Sequence, residues 1–194
     1  MEYIVLNKNQ NSYKGFLACT PISSLAAVMF LERLPCENDL YRIMQCGAKL
    51  WRKHQKHASS NGLFDALTFK SLEPRIFQSY VFREYYGVLN NSIQNSKELD
   101  IGFVNIKDII YNLEVNYNIF SFIITINSTT FSGCKRDNKY YMFDSHYPRA
   151  ILYCFKNFSE LLQIIIKGNF NKRYDMYTLI RHRTRRYKQN INNC

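Results

Sequence analysis

Cys19-Thr20-Pro21-Ile22-Ser23-Ser24-Leu25-Ala26-Ala27-Val28-Met29-Phe30-Leu31 places apolar residues at Ile22, Leu25, Ala26, Met29 and Phe30, three and four apart, as one face of an α-helix requires. Pro21 is compatible with that helix because it falls in the first turn, where an amide N–H has no helical partner to lose. The spacing predicts a helix from Cys19 to Leu34 that opens on a cysteine. A helix N-terminus carries partial positive charge and unpaired N–H groups, so it favours a thiolate and offers an N–H to a developing oxyanion. A small buried thiol at the start of a core helix fits the same residues, since free cysteine is among the most buried residue types. What separates the two readings is a base elsewhere in the chain.

Lys139 to Phe143 is rich in aromatic residues and reads as a strand that runs into Asp144-Ser145-His146. Residues two apart on a strand or its extended end project to the same side, so Asp144 and His146 lie together and Ser145 turns away. A carboxylate beside an imidazole fixes its tautomer and stabilises the cation formed when it takes a thiol proton. His146 follows Cys19 by 127 positions, close to the roughly 130–150 residues that separate Cys and His in papain-type enzymes. The residues therefore suggest Cys19 as nucleophile, His146 as base and acid, and Asp144 as its orienting partner. Asp-Ser-His before Tyr147-Pro148 also reads as a polar strand end entering a turn. Gln10 adds a side-chain amide upstream of the cysteine that can donate to an oxyanion. Asn9, Asn11 and Ser12 compete for that role, and Asn7 to Asn11 equally reads as a polar loop.

Around these pieces, Asn38 or Asp39 can cap a second helix to about His57, with Leu40, Ile43, Met44 and Leu50 on its apolar side. Pro74 can open a helix through Phe77, Val81 and Tyr85, and Val104 to Leu113 suggests another with Ile106, Ile109, Ile110 and Leu113 buried. Ile119 to Ile126 reads as a strand, Ser132-Gly133 and Asp137-Asn138 as turns, Ile151 to Phe155 as a strand, Phe158 to Ile166 as a helix and Met176 to Ile180 as a last strand. Helices first and an antiparallel sheet second give an α+β class, with the helical part packed on the sheet. No internal repeat breaks the chain, and residues 1–194 read as one domain with a basic tail at about 183–194.

The 194 residues, 46% of them hydrophobic and 15% aromatic, suffice for one sizeable core. Cys36, Cys46, Cys134, Cys154 and Cys194 lack metal-ligand rhythm and read as free thiols; Cys46, His54 and His57 want a fourth ligand. No cofactor or metal is expected. Met1 to Ile4 is not the start of a secretion signal, and the apolar stretch from Leu25 to Leu31 is too short to span a bilayer. The expectation is an intracellular protein of a reducing compartment, cytoplasm or nucleus, and a monomer. A net charge of +11 comes largely from Lys49, Arg52, Lys53 and Lys56 and from Arg181, Arg183, Arg185, Arg186 and Lys188. Such runs are more often solvated faces than binding sites. With 15 Tyr and 14 Phe they also fit a nucleic-acid-binding module, although no RNA-recognition signature is present.

Asn9-Gln10, Gly15, Cys19 with the apolar run Ser23 to Leu31, and Tyr140 to His146 resemble the deubiquitinase domain of herpesvirus large tegument proteins and tegument-like relatives. The resemblance implies a papain-like cysteine protease fold, with Cys19, His146 and Asp144 as its triad and Gln10 serving the oxyanion. Arg149 also fits the family, whereas Tyr147-Pro148 departs from its pattern. It further implies hydrolysis of isopeptide bonds at the C-terminal glycine of ubiquitin or polyubiquitin. A site for the Arg-Leu-Arg-Gly-Gly tail needs a narrow cleft and nearby acids, for which Glu98, Asp100, Glu73 and Glu84 serve equally. Another ubiquitin-like modifier, or a peptide, is the alternative substrate of the same thiol chemistry.

Overall fold

The structure, a computed structural model, describes residues 2–88, 106–146, 148–167 and 172–181. Helix α1 spans Cys19–Glu32 and opens at the cysteine, as its periodicity predicts. Helix α2 spans Glu37–His54 and passes into a 3-10 turn at Gln55–His57. Its cap is neither Asn38 nor Asp39. Cys36 occupies that position, and Asp39, in the first turn, accepts the Cys36 N–H at 2.9 Å. Arg33 grips the same carboxylate with contacts of 2.5 and 2.7 Å, so its hydrogen bonds, followed by those from Cys36, hold the Asp39 carboxyl well below the usual carboxylate range. Ile22, Ala26 and Phe30 of α1 pack on Leu40, Met44 and Ala48 of α2. Gly47 permits the close approach, since a Cβ there would sit 2.5 Å from the Ile22 side chain.

One seven-stranded antiparallel sheet forms the centre. Its strands are β1 (Glu2–Val5), β2 (Tyr80–Val88), β3 (Phe120–Ile126), β4 (Thr129–Arg136), β5 (Lys139–Asp144), β6 (Ile151–Phe155) and β7 (Arg173–Arg181), in the spatial order β1-β6-β5-β4-β3-β7-β2. The helix expected from Pro74 to Tyr85 is a correction: α4 is only Pro74–Phe77, and Tyr80 onward pairs along nine residues with β7. Aromatic and β-branched side chains at 80–82 and 85–86 suit a pleated surface, and pairing with β7 overrides a helical reading of their spacing. A short helix α3 (Ala66–Leu72), capped by Asp65, precedes it.

Ser132-Gly133 is not a turn but mid-β4, and Gly133 is required there because a Cβ would meet the Phe122 ring at 2.3 Å. The β3–β4 turn is instead Asn127-Ser128, with φ of 48° and 66°, and the β4–β5 turn is Asp137-Asn138, as expected, with φ of 52° and 56°. Both are two-residue left-handed connections that match strand twist.

Alternation along β3 sends Phe120, Phe122, Ile124 and Ile126 to one face, where α5 (Ile106–Asn116) and α6 (Phe158–Ile166) cover them. Ile123 faces the opposite side with Tyr177 and Leu179, packed against Ala27 and Leu31 of α1. The chain is thus α+β with helices on both faces of the sheet, and β1 and β2 come from the N-terminal half. Helix α1 crosses the sheet with its first turn beside the start of β4. That placement puts the cysteine near the end of β5.

Candidate active site

Cys19 is 3% exposed. Its helix is pinned at that end by hydroxyl contacts: Thr20 Oγ1 donates to the Phe64 carbonyl at 2.7 Å and lies 3.1 Å from Thr130 Oγ1, and Ser23 Oγ donates to the Thr130 carbonyl at 3.1 Å. Thr125 Oγ1 stands 3.0 Å from Thr130 on the other side. As the first residue of α1, Cys19 has an N–H outside the helical ladder.

His146 lies two residues beyond the end of β5. Its Nδ1 is 2.6 Å from Asp144 Oδ1, and the same oxygen accepts the His146 backbone N–H at 2.9 Å. Phe131 meets the ring edge-on at a centroid distance of 5.7 Å. With Nδ1 held by the carboxylate, Nε2 is the nitrogen left for the hydrogen bond to Cys19. Burial pushes the Cys19 thiol up, but the hydrogen bond and charge of His146, and then the hydroxyl and backbone of Thr130, outweigh it and leave the thiol below its ordinary value. Burial likewise lowers the imidazole, and the hydrogen bonds that the ring donates to Asp144 and then to Cys19 overcome that and raise it to about 9. Opposite shifts in touching partners favour a thiolate–imidazolium pair. Cys134 is the contrast: equally buried but without such a partner, its thiol is pushed up by desolvation.

Gln10 opens a 3-10 turn, Gln10–Tyr13, capped by Asn9, and is 4% exposed. Its Nε2 donates to the Phe16 carbonyl at 3.2 Å, and its Oε1 accepts from Ser145 Oγ at 3.0 Å. Asn9 Oδ1 takes the N–H groups of Asn11 and Ser12, and one Nδ2 proton goes to the Pro148 carbonyl at 3.0 Å. Gln10 bridges the loop before Cys19 and Ser145 at the strand end that carries His146, whereas Asn9 reaches Pro148. The structure brings Cys19, His146 and Asp144 into contact and seats Gln10 on the residue between the last two. Sequence reasoning missed Thr130 and the contact role of Ser145, for which no local pattern gives a signal.

Beside Thr130 opens a cavity of about 630 Å³, walled by Ser59, Leu63, Phe64 and Asp65 after α2, by Asn127 and Ser128, and by Arg173, Asp175 and Tyr177 of β7. Asp175 is raised by burial and then by the charges of Glu84 and Asp65. These acids differ from most of those expected. Glu73 is engaged by His54 and Lys53, each at 2.6 Å, while Glu98 and Asp100 lie outside the described residues. The His54 contact also occupies one of the three residues weighed for zinc. No group of three or more metal-ligating side chains is found among the described residues, where no helix is long and apolar enough to cross a membrane. In the basic clusters, Arg52 donates to the Tyr13 carbonyl at 2.8 Å and Arg181 pairs with Glu32 at 3.4 Å; Arg183 to Lys188 lie outside the described residues.

No protein-family model and no curated protein matches the sequence. Among solved structures, the chain is similar to the ubiquitin-specific protease encoded by murine cytomegalovirus tegument protein M48, solved with a ubiquitin-based suicide substrate, with a TM-score of 0.73 at 15% identity over 95% of this chain and 89% of that one. The Pseudomonas avirulence protein AvrPphB aligns with a TM-score of 0.48 and 10% identity over 91% of this chain and 97% of that one. The seven-stranded sheet with helices on both faces thus resembles the fold of the M48 ubiquitin-specific protease.

Proposed function

We propose that this protein is a cysteine-type deubiquitinase. The observation that carries the reading is the buried Cys19 thiol, lowered by its contact with an imidazole that Asp144 holds at 2.6 Å. The likeness to a solved ubiquitin-specific protease supports the choice of substrate. In the reaction, the Cys19 thiolate attacks the carbonyl carbon of ubiquitin's terminal glycine, and the carbonyl electrons move to oxygen. The Cys19 N–H and the free Nε2 proton of Gln10 receive that oxyanion. His146 then donates its Nε2 proton to the leaving lysine amine, and the C–N bond breaks to leave a thioester. His146 next takes a proton from water, which attacks the thioester and releases ubiquitin's carboxylate and the thiol. Asp144 keeps the imidazole oriented through both steps.

The cavity beside Thr130 is the acyl-side groove in this reading. Asp65 and Asp175 within it suit the two arginines of the Arg-Leu-Arg-Gly-Gly tail, although Lys172 and Arg173 line the same wall. The test is incubation with ubiquitin carrying a thiol-reactive C-terminal group, read by intact mass, with Cys19→Ala alongside. A single adduct that vanishes in the variant supports the reading. No adduct from folded protein sinks it, and adducts with another modifier's tail instead would redirect the substrate.

A further inference from the structure

Ser145 separates Asp144 from His146 and points the other way, into the protein, where it is 1% exposed. Its hydroxyl lies 3.0 Å from Gln10 Oε1, an atom that only accepts, so Ser145 donates. The other end of the same amide faces the Phe16 carbonyl at 3.2 Å, which only accepts, so Nε2 is there. These two contacts define which end of the Gln10 amide is nitrogen, and one Nε2 proton stays uncommitted. The Gln10 backbone N–H also donates to the Ser145 carbonyl at 3.0 Å. Gln10 is therefore held by one residue through both backbone and side chain, across a separation of 135 positions.

We propose that Ser145 is a positioning residue that aims the Gln10 amide N–H at the oxyanion, coupling the strand end that bears the base to the oxyanion donor. This rests on the reading of Gln10 given above. A glutamine side chain has three rotatable bonds, and freezing them in water costs conformational entropy at every turnover unless a fixed contact has already done so. Ser145 supplies that contact without touching substrate. Because its hydroxyl does not meet the Asp144 carboxylate or the His146 ring among the contacts of the site, its loss should spare the titration of the base.

The experiment compares wild type, Ser145→Ala, Gln10→Ala and the double variant on a fluorogenic ubiquitin C-terminal amide. Ser145→Ala should lower kcat by about three- to tenfold, the size of one net hydrogen bond, with KM within about twofold and both pH limbs unmoved. In the Gln10→Ala background the same change should matter by less than about twofold. Additive losses, or a moved pH limb, would overturn the proposal. A second measurement needs no substrate. The Gln10 side-chain amide resonances, assigned by their absence in Gln10→Ala, should show slowed hydrogen exchange in wild type and measurably faster exchange in Ser145→Ala. Unchanged exchange refutes the positioning role even where ubiquitin turnover is absent, whereas absent turnover with the expected exchange refutes only the substrate. Should Ser145→Ala not fold, Ser145→Cys, a near-isosteric weaker donor, is read in the same two ways.

Discussion

Removing the Asp144 carboxylate should pull the alkaline limb of the pH profile downward. In the folded protein the His146 imidazole stands at about 9 against an ordinary 6.5, despite burial that opposes the charge. That rise corresponds to roughly 3 kcal/mol of preference for imidazolium. Among the favourable causes, hydrogen bonding to Asp144 comes first and its charge adds to it, so this carboxylate is the chief stabiliser of the imidazolium. Asp144→Ala leaves the buried ring with only Cys19 to stabilise it. The active form requires thiolate and imidazolium together. Activity is therefore lost on the acid side as the thiolate takes a proton, and on the alkaline side as the imidazolium gives one up.

Wild type should show an alkaline limb near 9. In Asp144→Ala that limb should fall by about one pH unit or more, the acid limb should rise, and kcat/KM at neutral pH should drop by about ten- to hundredfold. The assay is kcat/KM on the fluorogenic ubiquitin amide from about pH 5 to about pH 10, with folding followed by circular dichroism. An alkaline limb that stays near 9 in the variant would refute the assignment of Asp144 as the group that holds the imidazolium.

Cys19→Ala should abolish hydrolysis and probe labelling while leaving the melting curve intact, since a helix start accepts alanine; retained turnover would end the assignment. His146→Ala should be comparably severe in kcat and should also slow alkylation of Cys19 at neutral pH, measured with iodoacetamide. Thr130→Val removes a hydroxyl that favours the thiolate while keeping the side chain's shape, so the thiol should titrate higher and alkylate about three- to tenfold more slowly at neutral pH. Asp65→Asn and Asp175→Asn should each raise KM for the ubiquitin substrate by about three- to tenfold with kcat little changed, and the effect should shrink in high salt. An unchanged KM in both variants would remove the acyl-side assignment of the cavity.

Local physics was legible in the chain. A run with apolar residues three and four apart specified α1 and the fact that it opens on Cys19, and alternation around a single serine specified that Asp144 and His146 share a side. Asp137-Asn138 was readable because a tight hairpin needs left-handed residues wherever it occurs. What failed were features whose cause lies far away in sequence. Tyr80–Val88 is a strand because β7 pairs with it nearly a hundred positions later, and Gly133 stands in a strand because the Phe122 ring occupies the space of its Cβ. Asn38 and Asp39 both suit a cap by residue type, whereas Arg33 and the Cys36 N–H hold Asp39 in the first turn and Cys36 takes the cap.

The site divides the same way. Residue types and spacing determined a thiol, an imidazole and a carboxylate able to form a triad, since each carries its chemistry in its own side chain. Only the tertiary structure decided that Cys19 and His146 touch, that Thr130 adds to the thiolate's stability, and that Gln10 rather than Asn9 lies against Ser145. Those outcomes depend on the packing of α1 across β3 and β4 and on the closure of the 9–10 segment over the end of β5. Such contacts join positions more than a hundred apart, and no periodicity within either segment encodes its partner.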